Sequence, residues 1–273
     1  MSAPIMAKGA SRAGGARGLG WRQRVPAEAI AIRDLPLELA AALTYAVAFI
    51  ALAAVIPLLI ERYPLQLWGA SDYLQDFWYA IVLKIVFLLA VPLALFVRRG
   101  YTLHDALLGW RPLPASVLAV LAAFVGGALL NADRAEGIGH ALDVLPAAEG
   151  LGRVAVGALL ALLMAGLPEE LFYRCILQTR LEKATGRVSA IAVTALLFTA
   201  WHIPPRLALA SGVEGTAGDI ASVLLGTGVP VLLVAVVLGL AWDRWRNLPA
   251  LVAVHWGIDL LPIVGSLLQI PPK

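Results

Sequence analysis

Two adjacent carboxylates, Glu169 and Glu170, lie between apolar stretches in the segment PEELFYR at residues 168–174. Successive residues of an α-helix are ~100° apart around its axis, so the two side chains cannot both point the same way. Glu170 and Arg174 are spaced i and i+4, which allows an ion pair along one face. Glu169 is then left to face a cavity as a general base or a metal ligand. The alternative is a cytoplasm-facing helix start with an ordinary salt bridge.

Pro168 precedes the two carboxylates and suits the first turn of a helix, where its missing N–H costs nothing. We therefore expect the preceding apolar stretch to be interrupted at residues 166–168. A new helix would begin there, and its N-terminal dipole would favour both carboxylates.

A histidine ends the next apolar stretch, in the segment FTAWH at residues 198–202. If residues 184–187 form the turn of an antiparallel helical hairpin, Glu169 and His202 are about equally far from that turn. The hairpin would bring them to the same level, which predicts that His202 joins Glu169 in one site. The alternative is a structural histidine beside Trp201 at the membrane interface.

The last apolar stretch contains the segment HWGID at residues 255–259. His255 and Asp259 are spaced i and i+4, so Asp259 can orient the imidazole or act beside it. Gly257 lets another helix or a substrate approach closely. The alternative is a polar pair that holds two helices together.

Two other residues of types that can do chemistry, Lys84 and Cys175, lie in apolar stretches. Lys84 is expected to extend its aliphatic stem toward an interface, with its ammonium group in water. Cys175 has no histidine near it in the sequence, so a buried and unreactive thiol is expected.

The composition indicates the class of protein that carries these residues. The 273 residues are 60% hydrophobic and 14% charged, with a mean hydropathy of +0.84, which excludes an ordinary soluble domain. A single cysteine excludes an internal disulfide. Residues 1–34 are basic and poor in large apolar side chains, which predicts a flexible cytoplasmic tail. Residues 35–273 are predicted to form a single helical membrane domain.

The predicted fold is an all-α polytopic integral membrane bundle of about seven transmembrane helices, with eight as the alternative count. A span needs about 20 apolar residues. The expected spans are Leu35–Ile60, Phe77–Val97, Ala115–Leu130, Val154–Glu182, Val188–Ile203, Ile220–Trp242 and Leu248–Leu268.

Basic residues are concentrated in the N-terminal tail and in every second connection between these stretches. The positive-inside rule then places the N-terminus in the cytoplasm of a multi-pass cell-membrane protein.

Three motifs follow one another along the chain, each on a separate predicted helix. They are Glu-Glu-x-x-x-Arg, Phe-x-x-x-His and His-x-x-x-Asn/Asp. This arrangement resembles the CPBP family of intramembrane proteases, which includes type II CAAX prenyl endopeptidases and bacteriocin self-immunity proteins. The likeness covers about 151–268, the expected catalytic core. It implies a hydrolase that performs proteolysis on a membrane-embedded or lipid-linked, CAAX-like peptide or protein.

The resemblance also implies roles for the residues of all three motifs. Glu169 would activate the attacking water with help from His202. Glu170 and Arg174 would hold their helix in place. His255 and Asp259 would complete the site, as ligands or as stabilisers of the tetrahedral intermediate.

The resemblance leaves the metal open. The family is labelled a metalloprotease, and Glu169, His202 and His255 could bind Zn²⁺ with water in the fourth position. A metal-free site in which Glu169 and His202 polarise water is the alternative. Asp259 stands where the family can carry Asn, and an ionised carboxylate cannot donate to an oxyanion, which favours a ligand or orienting role for it.

Two functions other than an enzyme stay open. One is an inactive membrane scaffold or immunity-type protein with the same polar core. The other is a proton-coupled transporter, which the absence of an internal repeat disfavours. Expected partners are membrane lipids and a peptide or lipid-modified protein substrate, with no nucleic acid.

Overall fold

Helices account for nearly all of the chain that the computed structural model describes, which is residues 32–62, 82–102, 105, 114–208 and 219–268, and no strand occurs within those ranges. The helices are α1 (Leu35–Arg62), α2 (Val82–Ala90 continued by Val91–Arg98), α3 (Pro114–Leu130), α4 (Ala132–Val144), α5 (Ala147–Thr185), α6 (Arg187–Ala208), α7 (Ile220–Trp245) and α8 (Leu248–Leu267).

Five of these helices, α1, α5, α6, α7 and α8, are long and apolar enough to cross a membrane. Helices α3 and α4 make a sixth candidate, bent by 78° between Val117–Leu130 and Ala132–Val144. The all-α polytopic fold is therefore as predicted. The predicted second span, Phe77–Val97, lies partly outside the described residues, so the count of seven stays a prediction.

Polar and apolar residues are distributed as expected for a protein surrounded by lipid. Large apolar side chains such as Leu129, Leu130 and Leu225 are widely exposed, whereas Glu170 and Arg174 are completely buried. In hydrocarbon, apolar side chains can face outward without penalty, but ionised groups must find partners inside the bundle.

Helix α5 corrects the predicted interruption at residues 166–168. The helix is continuous from Ala147 to Thr185, and Pro168 lies within it. The segment Ala161–Gly166 just before the proline is wound as a π-helix, whose wider turn accommodates a residue that cannot donate to the previous turn. Glu169 and Glu170 therefore do not follow a helix start, and the expected dipole does not stabilise them.

The turn between α5 and α6 lies where the sequence places it. Gly186 has a φ of +83° and donates its N–H to the carbonyl of Glu182 at 2.9 Å. A positive φ strains other residue types, so glycine suits this turn. Arg187 begins α6, and the two helices return side by side.

Helix α8 is held closely against α3 and α5 by glycines. A Cβ atom on Gly127 would lie 2.5 Å from the carbonyl oxygen of Gly257, and one on Gly166 would lie 2.9 Å from the carbonyl oxygen of Val252. The predicted close approach at Gly257 is confirmed, because a Cβ there would be 2.9 Å from the ring of Phe124. These contacts fix the face of α8 that carries His255.

Candidate active site

Glu170 joins two helices at the centre of the bundle. Its Oε1 accepts a hydrogen bond from Nδ1 of His255 at 2.8 Å, and its Oε2 lies 3.3 Å from Nε of Arg174. The Glu170–Arg174 ion pair was predicted, but the bond to His255 was not. A carboxylate only accepts hydrogen bonds, so Nδ1 of His255 carries a proton.

Glu169 lies beside the other nitrogen of the same imidazole. Its Oε2 is 3.7 Å from Nε2 of His255, and its Oε1 is 3.0 Å from Nζ of Lys84. Glu169 is 1% exposed. The separation of 3.7 Å is too long for a direct hydrogen bond, but a single water can contact both groups.

Lys84 corrects one prediction. It does not reach an interface, because it is buried and its ammonium group contacts Glu169 and lies 4.9 Å from the ring centroid of Trp201. A carboxylate and the face of an indole ring both attract a cation. Together they stabilise the buried ammonium group in place of the water that it would contact at an interface. The sequence feature that could have predicted a site role for Lys84 is its position as an ionisable residue within an apolar stretch.

Asp259 has the most exposed side chain of this cluster. Its Oδ2 lies 3.3 Å from Nε2 of His255, as the i and i+4 spacing predicted, and its side chain is 32% exposed. The carboxylates of Glu169 and Glu170 are almost fully enclosed by comparison. The side of His255 on which Asp259 lies is therefore the least enclosed side of the cluster.

His202 is buried on α6 and donates from Nδ1 to the carbonyl of Phe198 at 2.8 Å. Because a carbonyl cannot donate, this contact leaves Nε2 as the basic nitrogen of the neutral ring. The ring of Phe198 lies 4.8 Å from the ring of His202 and 6.1 Å from that of His255, measured between centroids. The two imidazoles thus flank one aromatic side chain.

Aromatic side chains that the sequence analysis did not assign to the site surround these polar groups. Phe198 also contacts the ring of Tyr173 at 5.1 Å and the guanidinium of Arg174 at 4.9 Å. The ring of Trp201 packs against that of His202, with the centroids 3.8 Å apart and the ring planes tilted by 36°. These apolar faces exclude bulk water, which strengthens the electrostatic interactions within the cluster.

The structure therefore brings five of the predicted residues, Glu169, Glu170, Arg174, His255 and Asp259, into one contact network. His202 borders that network through Phe198. The catalytic roles of these residues stay predictions. Cys175 is buried and has no disulfide, as expected for an unreactive thiol.

The donor set does not fit a zinc ion. Among the described residues, no group of three His, Cys, Asp or Glu side chains is arranged to hold a metal. The carboxylate of Glu169 already faces the ammonium of Lys84. A zinc ion bound by Glu169 would lie ~2 Å from a carboxylate oxygen and therefore close to this positive charge.

Residues 152–261 match the family described as type II CAAX prenyl endopeptidase Rce1-like. The predicted resemblance is confirmed by this match, which includes Glu169, His202, His255 and Asp259 but not Lys84. No curated protein and no solved structure matches the chain.

Proposed function

Because residues 152–261 match the family described as type II CAAX prenyl endopeptidase Rce1-like, we propose that this membrane protein is an intramembrane endopeptidase. Its substrate is a membrane-embedded or lipid-linked peptide or protein with a CAAX-like end. The reaction is hydrolysis of one peptide bond at the site formed by Glu169, His202 and His255.

The pair of contacts made by Glu169 carries this proposal. One oxygen faces Lys84, and the other lies 3.7 Å from Nε2 of His255. A structural ion pair would need only the first contact. The second contact brings a carboxylate oxygen and an imidazole nitrogen close enough to bind the same water molecule, which suits the activation of that water.

In the proposed reaction, Glu169 takes a proton from water through Oε2, and the water oxygen attacks the scissile carbonyl carbon. His202 orients the water through Nε2. The new carbon–oxygen bond turns the carbonyl oxygen into an oxyanion. Collapse of this intermediate breaks the carbon–nitrogen bond, and the proton held by Glu169 passes to the leaving amine.

The oxyanion needs a donor in a dry site. Doubly protonated His255 can donate from Nε2 while its Nδ1–H remains on Glu170. Arg174 then holds Glu170, and Asp259 steadies the imidazole from the least enclosed side. In this scheme Asp259 does not donate a hydrogen bond to the oxyanion. An ionised carboxylate can therefore occupy the position where the family can carry an amide.

The proposed reaction is metal-free, because the pairing of Glu169 with Lys84 disfavours a second cation at the same carboxylate. Cleavage by the purified protein should therefore persist in the presence of a chelator. Loss of activity on chelation that zinc restores would contradict the metal-free scheme, but not the endopeptidase activity.

The Glu169→Gln variant tests the function. Glutamine can still accept a hydrogen bond from Lys84 but cannot take the proton of water, so cleavage of a quenched, S-prenylated peptide with a CAAX end should fall by ~10²–10⁴-fold. The matched control is Glu136→Gln, which alters an exposed carboxylate on α4 and should keep full activity. An inactive scaffold predicts no cleavage by the wild type, and full cleavage by Glu169→Gln would refute the proposed base.

A further inference from the structure

We infer that Lys84 is a positioning residue of this site, which keeps Glu169 charged and turned toward the reacting water. The inference rests on the proposed function. It concerns a residue outside the segment that matches the family, because that segment begins at residue 152.

The geometry joins Lys84 to only one side of Glu169. Nζ of Lys84 lies 3.0 Å from Oε1, whereas Oε2 is the oxygen nearer to His255. An ammonium that anchors Oε1 fixes the rotation of the carboxylate about its last bond. Oε2 is thereby held toward His255, where the proton of water must be accepted.

Lys84 lies in a π-helical part of α2 that faces the site. Residues Val82–Ala90 of α2 are wound as a π-helix and pack against the turn Leu167–Glu169 of α5. π-Helical segments occur often at functional sites, because the extra residue per turn redirects a side chain. The ring of Trp201, 4.9 Å from Nζ, holds the ammonium from another direction.

The charges around His255 explain why a cation is needed here. Three carboxylates, those of Glu169, Glu170 and Asp259, contact or approach this one imidazole. Arg174 compensates Glu170. Lys84 compensates Glu169, which would otherwise carry its charge close to two other carboxylates in an enclosed site.

The test uses the full-length protein in detergent with the quenched prenylated peptide, and it compares kcat, KM and melting temperature. Lys84→Met keeps the length of the side chain but removes its charge, so kcat should fall by ~10²-fold while KM changes little. Lys84→Arg restores a cation and should recover part of kcat.

Arg180→Met is the matched control. Arg180 makes a buried ion pair with Glu38 at 2.7 Å, away from the site, and both partners are buried to the same degree as Lys84. This variant should lower the melting temperature but leave kcat of the folded fraction unchanged. Equal losses of kcat in Arg180→Met and Lys84→Met would overturn the inference, because the effect would then reflect stability alone.

The double variant Lys84→Met/Glu169→Gln gives a second measurement that does not depend on activity. It should melt at a higher temperature than Lys84→Met, because no unpaired carboxylate remains. A double variant that melts no higher would show that the two residues do not form a pair, and would also overturn the inference.

The activities of the two single variants distinguish failure of the proposed function from failure of the proposed role of Lys84. If Glu169→Gln loses activity but Lys84→Met keeps wild-type kcat, only the role of Lys84 is refuted. If Glu169→Gln retains full activity, the proposed base is refuted, and the positioning role of Lys84 falls with it.

Discussion

His255 donates from Nδ1 to Oε1 of Glu170 at 2.8 Å, although the two residues are 85 positions apart and belong to different helices. The same carboxylate accepts from Arg174 through Oε2. Glu170 thus fixes both the imidazole on α8 and the guanidinium on α5, which makes it the structural centre of the site.

We expect Glu170→Gln to lower both stability and activity. The substitution leaves the charge of buried Arg174 uncompensated, and breaking a buried ion pair in this way costs ~3–5 kcal/mol. The measurement is thermal melting in detergent together with peptide cleavage. Glu149→Gln is the control, because Glu149 forms an i and i+4 pair with Arg153 while its side chain is 44% exposed. Its loss should be below ~1 kcal/mol. Equal melting temperatures for the two variants would contradict this assignment.

We expect His202→Ala and His255→Ala to lower kcat by ~10²–10⁴-fold while the protein still folds. His255→Ala also removes a hydrogen bond from buried Glu170, at a cost of ~1–3 kcal/mol, so it should melt at a lower temperature than His202→Ala. His140→Ala alters an exposed histidine on α4 and serves as the control. Wild-type turnover by either site variant would remove that histidine from the proposed mechanism.

Two neighbouring glycines on α3 allow a test of helix packing. A Cβ on Gly127 would lie 2.5 Å from the carbonyl oxygen of Gly257, whereas one on Gly126 would have no atom within 4 Å. Gly127→Ala should therefore destabilise the protein by ~1–3 kcal/mol, because α8 must move away. Gly126→Ala should be neutral or stabilising by up to ~1 kcal/mol. The test is the difference between their melting temperatures, and a difference of zero would contradict the close contact.

We expect the N-terminus to be cytoplasmic in the cell membrane. The tail and every second connection carry most of the basic residues, which are retained on the inner side. Reporter fusions that are active only in the cytoplasm should give a signal at the N-terminus. A matched fusion with a reporter that is active only outside should be silent, and the opposite result would reverse the topology.

The sequence by itself determined the local features of this protein. Apolar length predicted the helical membrane fold, and Gly186 lies in the predicted turn. The i and i+4 spacing predicted the Glu170–Arg174 and His255–Asp259 contacts. These features depend on residues within one or two helical turns of each other, so the local course of one helix decides them.

Only the tertiary structure decided which helices bring their polar residues together. The contacts of Lys84 with Glu169 and of His255 with Glu170 depend on how each helix is rotated about its axis. The π-helical segments in α2 and α5 change that rotation, and the continuity of α5 through Pro168 follows from one of them. A regular helical repeat cannot reveal such a change, because it arises when neighbouring helices pack and buried charges find partners.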